Sequence, residues 1–205
     1  MEGTGIKKLI IIGASGHGKV VADIARLNGY REIVFLDDDP DVKECAGYPV
    51  LGSSGMVGEL EGDVFVAVGN CDIRKVLMER VSDRHFPVLI HPGAVVAEDV
   101  QLGDGSAVMA GAVINPGATL GKGSIVNTCA SVDHDCNISD YCHIAVGAHL
   151  CGTVDLGEAC WIGAGATVIN NISLCGKCRI GAGAVVVRDV TEPGTYMGVP
   201  AGKRS

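Results

Sequence analysis

The chain of 205 residues is poor in aromatic side chains, with three Phe, four Tyr and one Trp. Aliphatic and small side chains must therefore supply most of the buried surface. The chain also lacks an unbroken apolar run of about 18 residues, which a membrane-spanning helix would need. Its first residues lack the apolar stretch of a signal peptide. We expect no membrane partner and a cytoplasmic location.

Positive charge is scarce as well. The chain has 16 Lys and Arg against 24 Asp and Glu, which gives a formal net charge of −8. Its largest basic clusters are the pairs Lys7-Lys8 and Lys203-Arg204. A nucleic-acid surface needs a broader basic patch, so we expect no nucleic-acid partner and favour a small-molecule ligand.

The cysteine and histidine spacings do not indicate a metal site. Cys142, Cys160 and Cys178 are spaced eighteen residues apart, which predicts one column of small buried side chains. Cys175 and Cys178 form a lone CxxC, and zinc sites of this kind use two. The spacings between His134, His143 and His149 favour different strands. We therefore expect no metal, and an odd number of cysteines fits a reducing compartment.

An aliphatic residue falls at every sixth position from Ile90 to Val186 without interruption. Four residues after each of them comes a small or modest side chain, such as Ala112, Ala130 or Ala148. A repeat of six does not match an α-helix of 3.6 residues per turn, because residues six apart point to nearly opposite sides. Three short strands joined by turns, in contrast, form one coil of eighteen residues. The pattern predicts a parallel β-helix of five to six coils.

The stacking columns of this β-helix follow from the eighteen-residue spacing. Three columns of aliphatic residues would fill a narrow triangular interior. The columns are Leu102, Leu120, Ile138, Leu156 and Leu174; Val108, Val126, Ile144, Ile162 and Ile180; and Val96, Ile114, Val132, Leu150, Val168 and Val186.

Residues in front of the repeat alternate between strand and helix patterns. We predict strands over 8–12, 33–36 and 64–68 and helices over 18–28 and 72–81, a small open α/β unit. This gives a Rossmann-like nucleotide-binding domain over 1–84, the β-helix over 85–190 and a closing tail over 191–205.

A glycine-rich turn joins the first strand to the first helix. The sequence GASGHG over 13–18 offers backbone amides and a helix N-terminus to a phosphate, although Ser15 breaks the G-x-G-x-x-G spacing of dinucleotide sites. The alternative is a tight turn without a ligand.

Asp37 and Asp38 follow the second strand and Gly69 follows the third, where open α/β sheets bind ligands. The alternative for the Asp37-Asp38-Asp39 run is a solvated acidic turn. We expect a mononucleotide rather than NAD.

His134 is the histidine best placed for chemistry. It follows the inward Val132 by two residues, so it should lie at an exposed corner, with Gly152 stacked one coil further on. An exposed imidazole can act as a general base, and the amide of Gly152 can stabilise an oxyanion. Either Asp133 or Asp135 can orient the ring. The alternative is a surface histidine without a role.

The chain resembles the hexapeptide sugar acyltransferases related to bacterial UDP-4-amino-sugar N-acetyltransferases of the bacillosamine pathway and to sialic acid O-acetyltransferases. The resemblance covers nearly the whole chain and is carried by several short motifs. These are GASGHG at 13–18, FLDD at 35–38, FVAVGN at 65–70, IRK at 73–75, HDC at 134–136, HIAVGA at 143–148 and GVPA at 198–201.

The resemblance implies a left-handed β-helix, a homotrimer, and acetyl-CoA as the co-substrate of a nucleotide sugar. It implies that His134 is the general base, supported by Asp135 where relatives carry a longer glutamate. The residues that it assigns to the nucleotide sugar are Ser15, Gly16, His17, Asp37, Asp38, Gly69 and Asn127. Those that it assigns to acetyl-CoA are His143, Gly152, Ala164 and Ala182.

Three other functions remain open at this stage. A sugar O-acetyltransferase would use the same base and donor, and a non-catalytic nucleotide-sugar sensor would keep the fold without the chemistry. An NAD-dependent enzyme is disfavoured by the glycine spacing. Trp161 is expected to point outward, against either a ligand or another subunit.

Overall fold

The computed structural model describes residues 7–204, and the chain divides after Leu89 into two compact units. The first is an α/β unit. The second is a prism of short strands.

The first unit is built around a parallel sheet of three strands. Its strands are β1 (Lys8–Ile12), β2 (Glu32–Leu36), β3 (Glu44–Cys45), β4 (Tyr48–Pro49) and β5 (Asp63–Val66); its helices are α1 (Gly16–Leu27), α2 (Cys71–Arg80) and a 3-10 helix, Ser54–Glu59. The order in the main sheet is β2-β1-β5, and β3 and β4 form a separate hairpin. Leu9, Ile10 and Ile11 of the central strand have no exposed surface. Apolar side chains on both sides of β1 therefore form the core of this unit.

The predicted strands and helices of this unit are all present, with small shifts at their ends. Helix α1 begins at Gly16, two residues earlier than predicted, because the glycine-rich turn leads directly into the first helical turn. Helix α2 begins at Cys71, where the side chain of Asn70 accepts a hydrogen bond from the Ile73 amide at 3.1 Å. The capping side chain thus determines where this helix starts.

The second unit is a left-handed parallel β-helix, as the hexapeptide spacing and the resemblance together predicted. It has three faces of short parallel strands. Face 1 contains β6 (Leu89–Ile90), β9 (Ala107–Val108), β12 (Ile125–Val126), β15 (His143–Ile144), β18 (Trp161–Ile162) and β21 (Cys178–Ile180). Face 2 contains β7 (Val95–Val96), β10 (Val113–Ile114), β13 (Ser131–Val132), β16 (His149–Leu150), β19 (Thr167–Val168) and β22 (Val185–Val186). Face 3 contains β8 (Gln101–Leu102), β11 (Thr119–Leu120), β14 (Asn137–Ile138), β17 (Asp155–Leu156) and β20 (Ser173–Leu174).

The three aliphatic columns predicted from the sequence fill the prism. Strand pairing places Val132 beside Leu150 and Ile144 beside Ile162, each eighteen residues apart. These side chains have at most 1% of their surface exposed. The inward position of the cysteine column is also confirmed. The Cys142 thiol donates to the carbonyl of Gly157 at 3.2 Å, so a thiol in this column satisfies the backbone of the next turn.

The C-terminal tail adds two strands to face 1. Strand β23 (Gly194–Met197) pairs in parallel with β21, and β24 (Gly202–Lys203) pairs antiparallel with β23. The Lys203 ammonium and the Glu192 carboxylate form an ion pair at 2.6 Å. The tail thereby covers a sheet edge that would otherwise expose unpaired backbone groups.

Over residues 7–204, no helix has both the length and the apolar character needed to cross a membrane.

The stacked core leads to a stability prediction. Leu156 is 1% exposed, whereas its neighbour Asp155 points outward from the same strand. We expect Leu156→Ala to lower the free energy of unfolding by about 2–5 kcal/mol, because it leaves a cavity in a packed column. Asp155→Ala should change it by less than about 0.5 kcal/mol. Urea denaturation followed by circular dichroism measures both, and equal effects would contradict the stacked-column core.

Candidate active site

His134 and Asp135 form a polar pair in the turn between β13 and β14. The Nδ1 atom of His134 lies 2.8 Å from Oδ2 of Asp135, and 57% of the His134 side chain is exposed. A carboxylate can only accept a hydrogen bond, so Nδ1 carries the proton and Nε2 keeps its lone pair. The free lone pair is the feature that a general base requires.

Asp133 has a different task from Asp135. Its Oδ1 atom accepts hydrogen bonds from the His134 backbone amide at 2.8 Å and from the Asn115 side chain at 2.7 Å. Asp133 therefore orders the backbone of the turn, and Asp135 orients the imidazole. The sequence left open which aspartate orients the ring, and the geometry selects Asp135, which follows the histidine.

The two carboxylates make His134 a stronger base. The hydrogen bond to Asp135 and, next in size, the charge of Asp133 raise the pKa of His134 above its ordinary value. The Asn115 side chain, followed by the His134 amide, lowers the pKa of Asp133, so that this carboxylate remains charged. Both effects favour the protonated imidazole that would form once the base has taken a proton.

Glycines in the adjacent coils make room for this pair. A Cβ atom at Gly152, one coil further on, would lie 2.5 Å from Nε2 of His134. A Cβ atom at Gly117, one coil earlier, would lie 2.5 Å from Oδ1 of Asp135. Gly152 was predicted as a site residue, whereas Gly117 was missed. Its position eighteen residues before Asp135 was the signal that could have identified it.

Asn127 and His143 form a second polar pair. The Nδ2 atom of Asn127 lies 3.1 Å from Nε2 of His143, and the His143 side chain is buried. The Trp161 ring meets the His143 ring edge-on, with 6.4 Å between centroids, and the Arg179 guanidinium lies 5.5 Å from the Trp161 centroid. Trp161 therefore lies on face 1 between His143 and Arg179 of the neighbouring coils.

Ala164 and Ala182 lie exposed in turns that lead from face 1 to face 2, eighteen residues apart. Asn127 lies in an equivalent turn two coils earlier, whereas His134 and Gly152 lie in turns between face 2 and face 3. Of the residues predicted to contact acetyl-CoA, Gly152 therefore lies at one corner of the prism and Ala164 and Ala182 at another, on either side of face 2, while His143 lies in β15 on face 1.

The predicted nucleotide loops meet at the carboxyl edge of the sheet in the first unit. Asp37 accepts hydrogen bonds from the Ala14 amide at 2.6 Å and the Asp39 amide at 2.9 Å. Asp38 accepts from the amide and hydroxyl of Ser54 at 2.8 and 3.0 Å. Both carboxylates thus order the loops beside the glycine-rich turn, and they line a cavity of about 220 Å³.

Ser15 and Gly16 are exposed at the start of α1, and His17 is half-buried in its first turn. Gly69 lies half-buried in the loop between β5 and α2. The glycine-rich turn, the aspartates and Gly69 therefore come from three loops at one sheet edge, as the alternating strand and helix pattern predicted.

An N-terminal Rossmann-like unit joined to a left-handed β-helix defines a class of nucleotide-sugar acyltransferases, and comparisons with known proteins agree. Residues 8–81 match the model of the PglD N-terminal domain. The acetyltransferase domain of PglB from Neisseria gonorrhoeae, in complex with acetyl coenzyme A, is 44% identical, with a TM-score of 0.93 over 98% of this chain and all of that one. PerB from Caulobacter crescentus, in complex with CoA and GDP-perosamine, is 37% identical, with a TM-score of 0.91 over 98% of this chain and 99% of that one.

The UDP-N-acetylbacillosamine N-acetyltransferase of Bacillus subtilis is 37% identical over 113 residues. That match spans 51% of this chain and about half, 52%, of the curated relative. The chain belongs to the bacillosamine-type sugar N-acetyltransferase family.

The hydrogen bond between His134 and Asp135 leads to a titration prediction. Asp135→Asn removes the charge that favours the imidazolium, so we expect the pKa of His134 to fall. Asp133→Asn should lower it by less, because Asp133 acts on the ring only through its charge. Titration of the His134 ring protons by NMR measures both variants. The His85 resonance serves as a reference from the first unit, and an unchanged His134 midpoint in Asp135→Asn would contradict the assignment.

Proposed function

We propose that the chain transfers the acetyl group of acetyl-CoA to the amino group of a nucleotide-linked amino sugar, of the UDP-4-amino-4,6-dideoxy type. One observation carries the proposal: a histidine with a free Nε2 lone pair is oriented by Asp135 and packed over the backbone of Gly152. The family relationship supports the same class of reaction.

In this proposal, the neutral amine of the sugar attacks the thioester carbonyl of acetyl-CoA directly. As the new C–N bond forms, Nε2 of His134 takes a proton from the amine, while the Nδ1 proton remains bonded to Asp135. The amide of Gly152 donates to the oxyanion that develops on the carbonyl oxygen. The intermediate then collapses, the C–S bond breaks, and the proton on His134 passes to the departing thiolate of CoA.

We assign nucleotide-sugar binding to the loops of the first unit and to Asn127. The residues that we assign to the nucleotide sugar are Ser15, Gly16, His17, Asp37, Asp38 and Gly69. Support comes from the convergence of their three loops at one sheet edge and from the exposed residues Ser15 and Gly16 at the N-terminus of α1. We assign contacts with acetyl-CoA to His143, Gly152, Ala164 and Ala182.

We further propose that the active form is a homotrimer. Gly152 lies at one corner of the prism and Ala164 and Ala182 lie at another, so Gly152 of one subunit and Ala164 and Ala182 of another can line the same groove. A subunit boundary beside face 2 would then complete the site. This arrangement explains why a single chain presents two separate parts of a coenzyme site.

We also propose a cytoplasmic location and a role in bacterial glycan biosynthesis. All nine cysteines are free thiols, which fits a reducing compartment. The relatives carry the names of enzymes that act on UDP- and GDP-linked amino sugars. The pair of carboxylates at the nucleotide edge would repel a free acidic sugar, which favours an intact nucleotide sugar over sialic acid.

Thiol release from acetyl-CoA, with a UDP-4-amino-4,6-dideoxy sugar as acceptor, tests this function. We expect His134→Ala to lower kcat by about 10²–10⁴-fold, the usual contribution of a general base. His85→Ala is the matched control, because His85 Nδ1 also lies 2.8 Å from an aspartate, Asp63, and its side chain is 72% exposed. It should leave kcat unchanged.

Other acceptors decide between the remaining functions. Release only with a GDP-amino sugar would change the nucleotide, and release only with sialic acid would make the chain an O-acetyltransferase. If the chain bound nucleotide sugar but released no thiol with any acceptor, the sensor function would replace the proposal.

A further inference from the structure

Arg74 is a buried cation next to the predicted nucleotide loops. Its side chain lies on α2 and has no exposed surface. Its Nη1 atom donates to the carbonyl of Val68 at 2.8 Å and to the carbonyl of Gly69 at 3.1 Å. Arginine is rarely buried to this extent, and here its guanidinium holds two successive peptide groups of the loop between β5 and α2.

These hydrogen bonds determine how the loop presents its backbone. In a trans peptide, the carbonyl and the following N–H point in opposite directions. Because Arg74 binds the carbonyls of Val68 and Gly69, the amides of Gly69 and Asn70 are turned away from the guanidinium. The same loop begins α2, since the Arg74 amide donates to the Asn70 carbonyl at 2.9 Å.

The loop held by Arg74 also packs against the glycine-rich turn. A Cβ atom at Gly13 would lie 2.8 Å from the Ala67 carbonyl oxygen and 3.2 Å from Cγ2 of Val68. The Ala67 amide donates to the Ile12 carbonyl at 2.7 Å. The position of residues 67–69 therefore sets the surface against which the turn over 13–18 rests. A displaced loop would displace the turn as well.

We propose that Arg74 is a positioning residue for nucleotide-sugar binding: it holds the loop over 68–70, and through that loop the glycine-rich turn, in the geometry that receives the nucleotide. This inference rests on the proposed function. Arg74 itself lies behind the loop and does not touch the substrate. Its loss should weaken binding of the nucleotide and leave acetyl transfer from the bound complex intact.

The test compares Arg74→Met and Arg74→Lys with Arg84→Met. Arg84 is a matched control because its guanidinium also donates to backbone carbonyls of the first unit, those of Val57 at 2.7 Å, Leu60 at 2.8 Å and Gly62 at 2.8 Å. Gly62 precedes β5, at the amino edge of the sheet, opposite the nucleotide loops. Arg84→Met thus removes a similar set of hydrogen bonds without touching the loop over 68–70.

We expect Arg74→Met to raise the KM for the nucleotide sugar, and the Kd for UDP measured by calorimetry, by roughly tenfold or more. The KM for acetyl-CoA and kcat should stay within about twofold, because no group at the reacting atoms changes. Arg74→Lys should recover part of the affinity, since an ammonium can still donate to carbonyls. Arg84→Met should lower the thermal midpoint without changing the KM for the nucleotide sugar.

Several outcomes would overturn the inference. One is an unchanged KM and Kd in Arg74→Met, and another is an equal rise of KM in Arg84→Met, which would reduce the role of Arg74 to general stability. A fall in kcat with unchanged KM would also contradict it. If the native chain transferred no acetyl group and bound no UDP, the proposed function would fail first, and the wild-type assay shows this before any variant is compared.

Discussion

The parallel hydrogen-bond ladder between successive coils is the constraint on which the second unit depends. From β6 to β19, apart from the strand ends of the last coil, each strand pairs with the strand eighteen residues further on, so the neighbour of a residue in the next coil can be found by counting along the sequence. This spacing stacks aliphatic side chains inside the prism. It also stacks the polar groups outside it, where Asn115 meets Asp133 and His134 meets the backbone of Gly152. Core and candidate active site are therefore products of one periodicity.

The same periodicity explains which features could be predicted from the sequence. The three columns and the pairing of His134 with Gly152 require only counting, because the repeat has no insertion between Ile90 and Val186. The choice between Asp133 and Asp135 could not be made in this way. Both flank the histidine, and the turn, in which Asp135 has a φ of +58°, decides which carboxylate reaches the ring. A positive φ recurs at every sixth residue from Gly105 to Gly183, so the period sets the backbone of these turns, but it does not indicate which neighbouring side chain reaches the ring.

The first unit lacks such a repeat, and its details were correspondingly harder to predict. The strand and helix pattern indicates which loops share a sheet edge, and the three loops do meet there. It does not indicate that Asp37 and Asp38 bind the amides of Ala14 and Ser54, nor that Arg74 reaches back from α2 to the loop before it. These contacts depend on loop conformation and helix orientation. In our proposals, the loops that these contacts hold in place determine the affinity for the nucleotide, whereas His134 and Asp135 determine the rate of transfer.

The most direct test of the central claim is the pH dependence of kcat/KM for the native chain, measured beside the NMR titration of His134 in the same buffer. If His134 is the general base, activity should fall on the acidic side with the midpoint at which the imidazole titrates, above the ordinary value for histidine. The acceptor amine must be neutral to attack, so its own ionisation adds a second acidic limb that shifts between sugars whose amines differ in pKa, whereas the midpoint of His134 should stay the same. A profile that contains only the limb of the amine, with none at the midpoint of the His134 titration, would contradict the account.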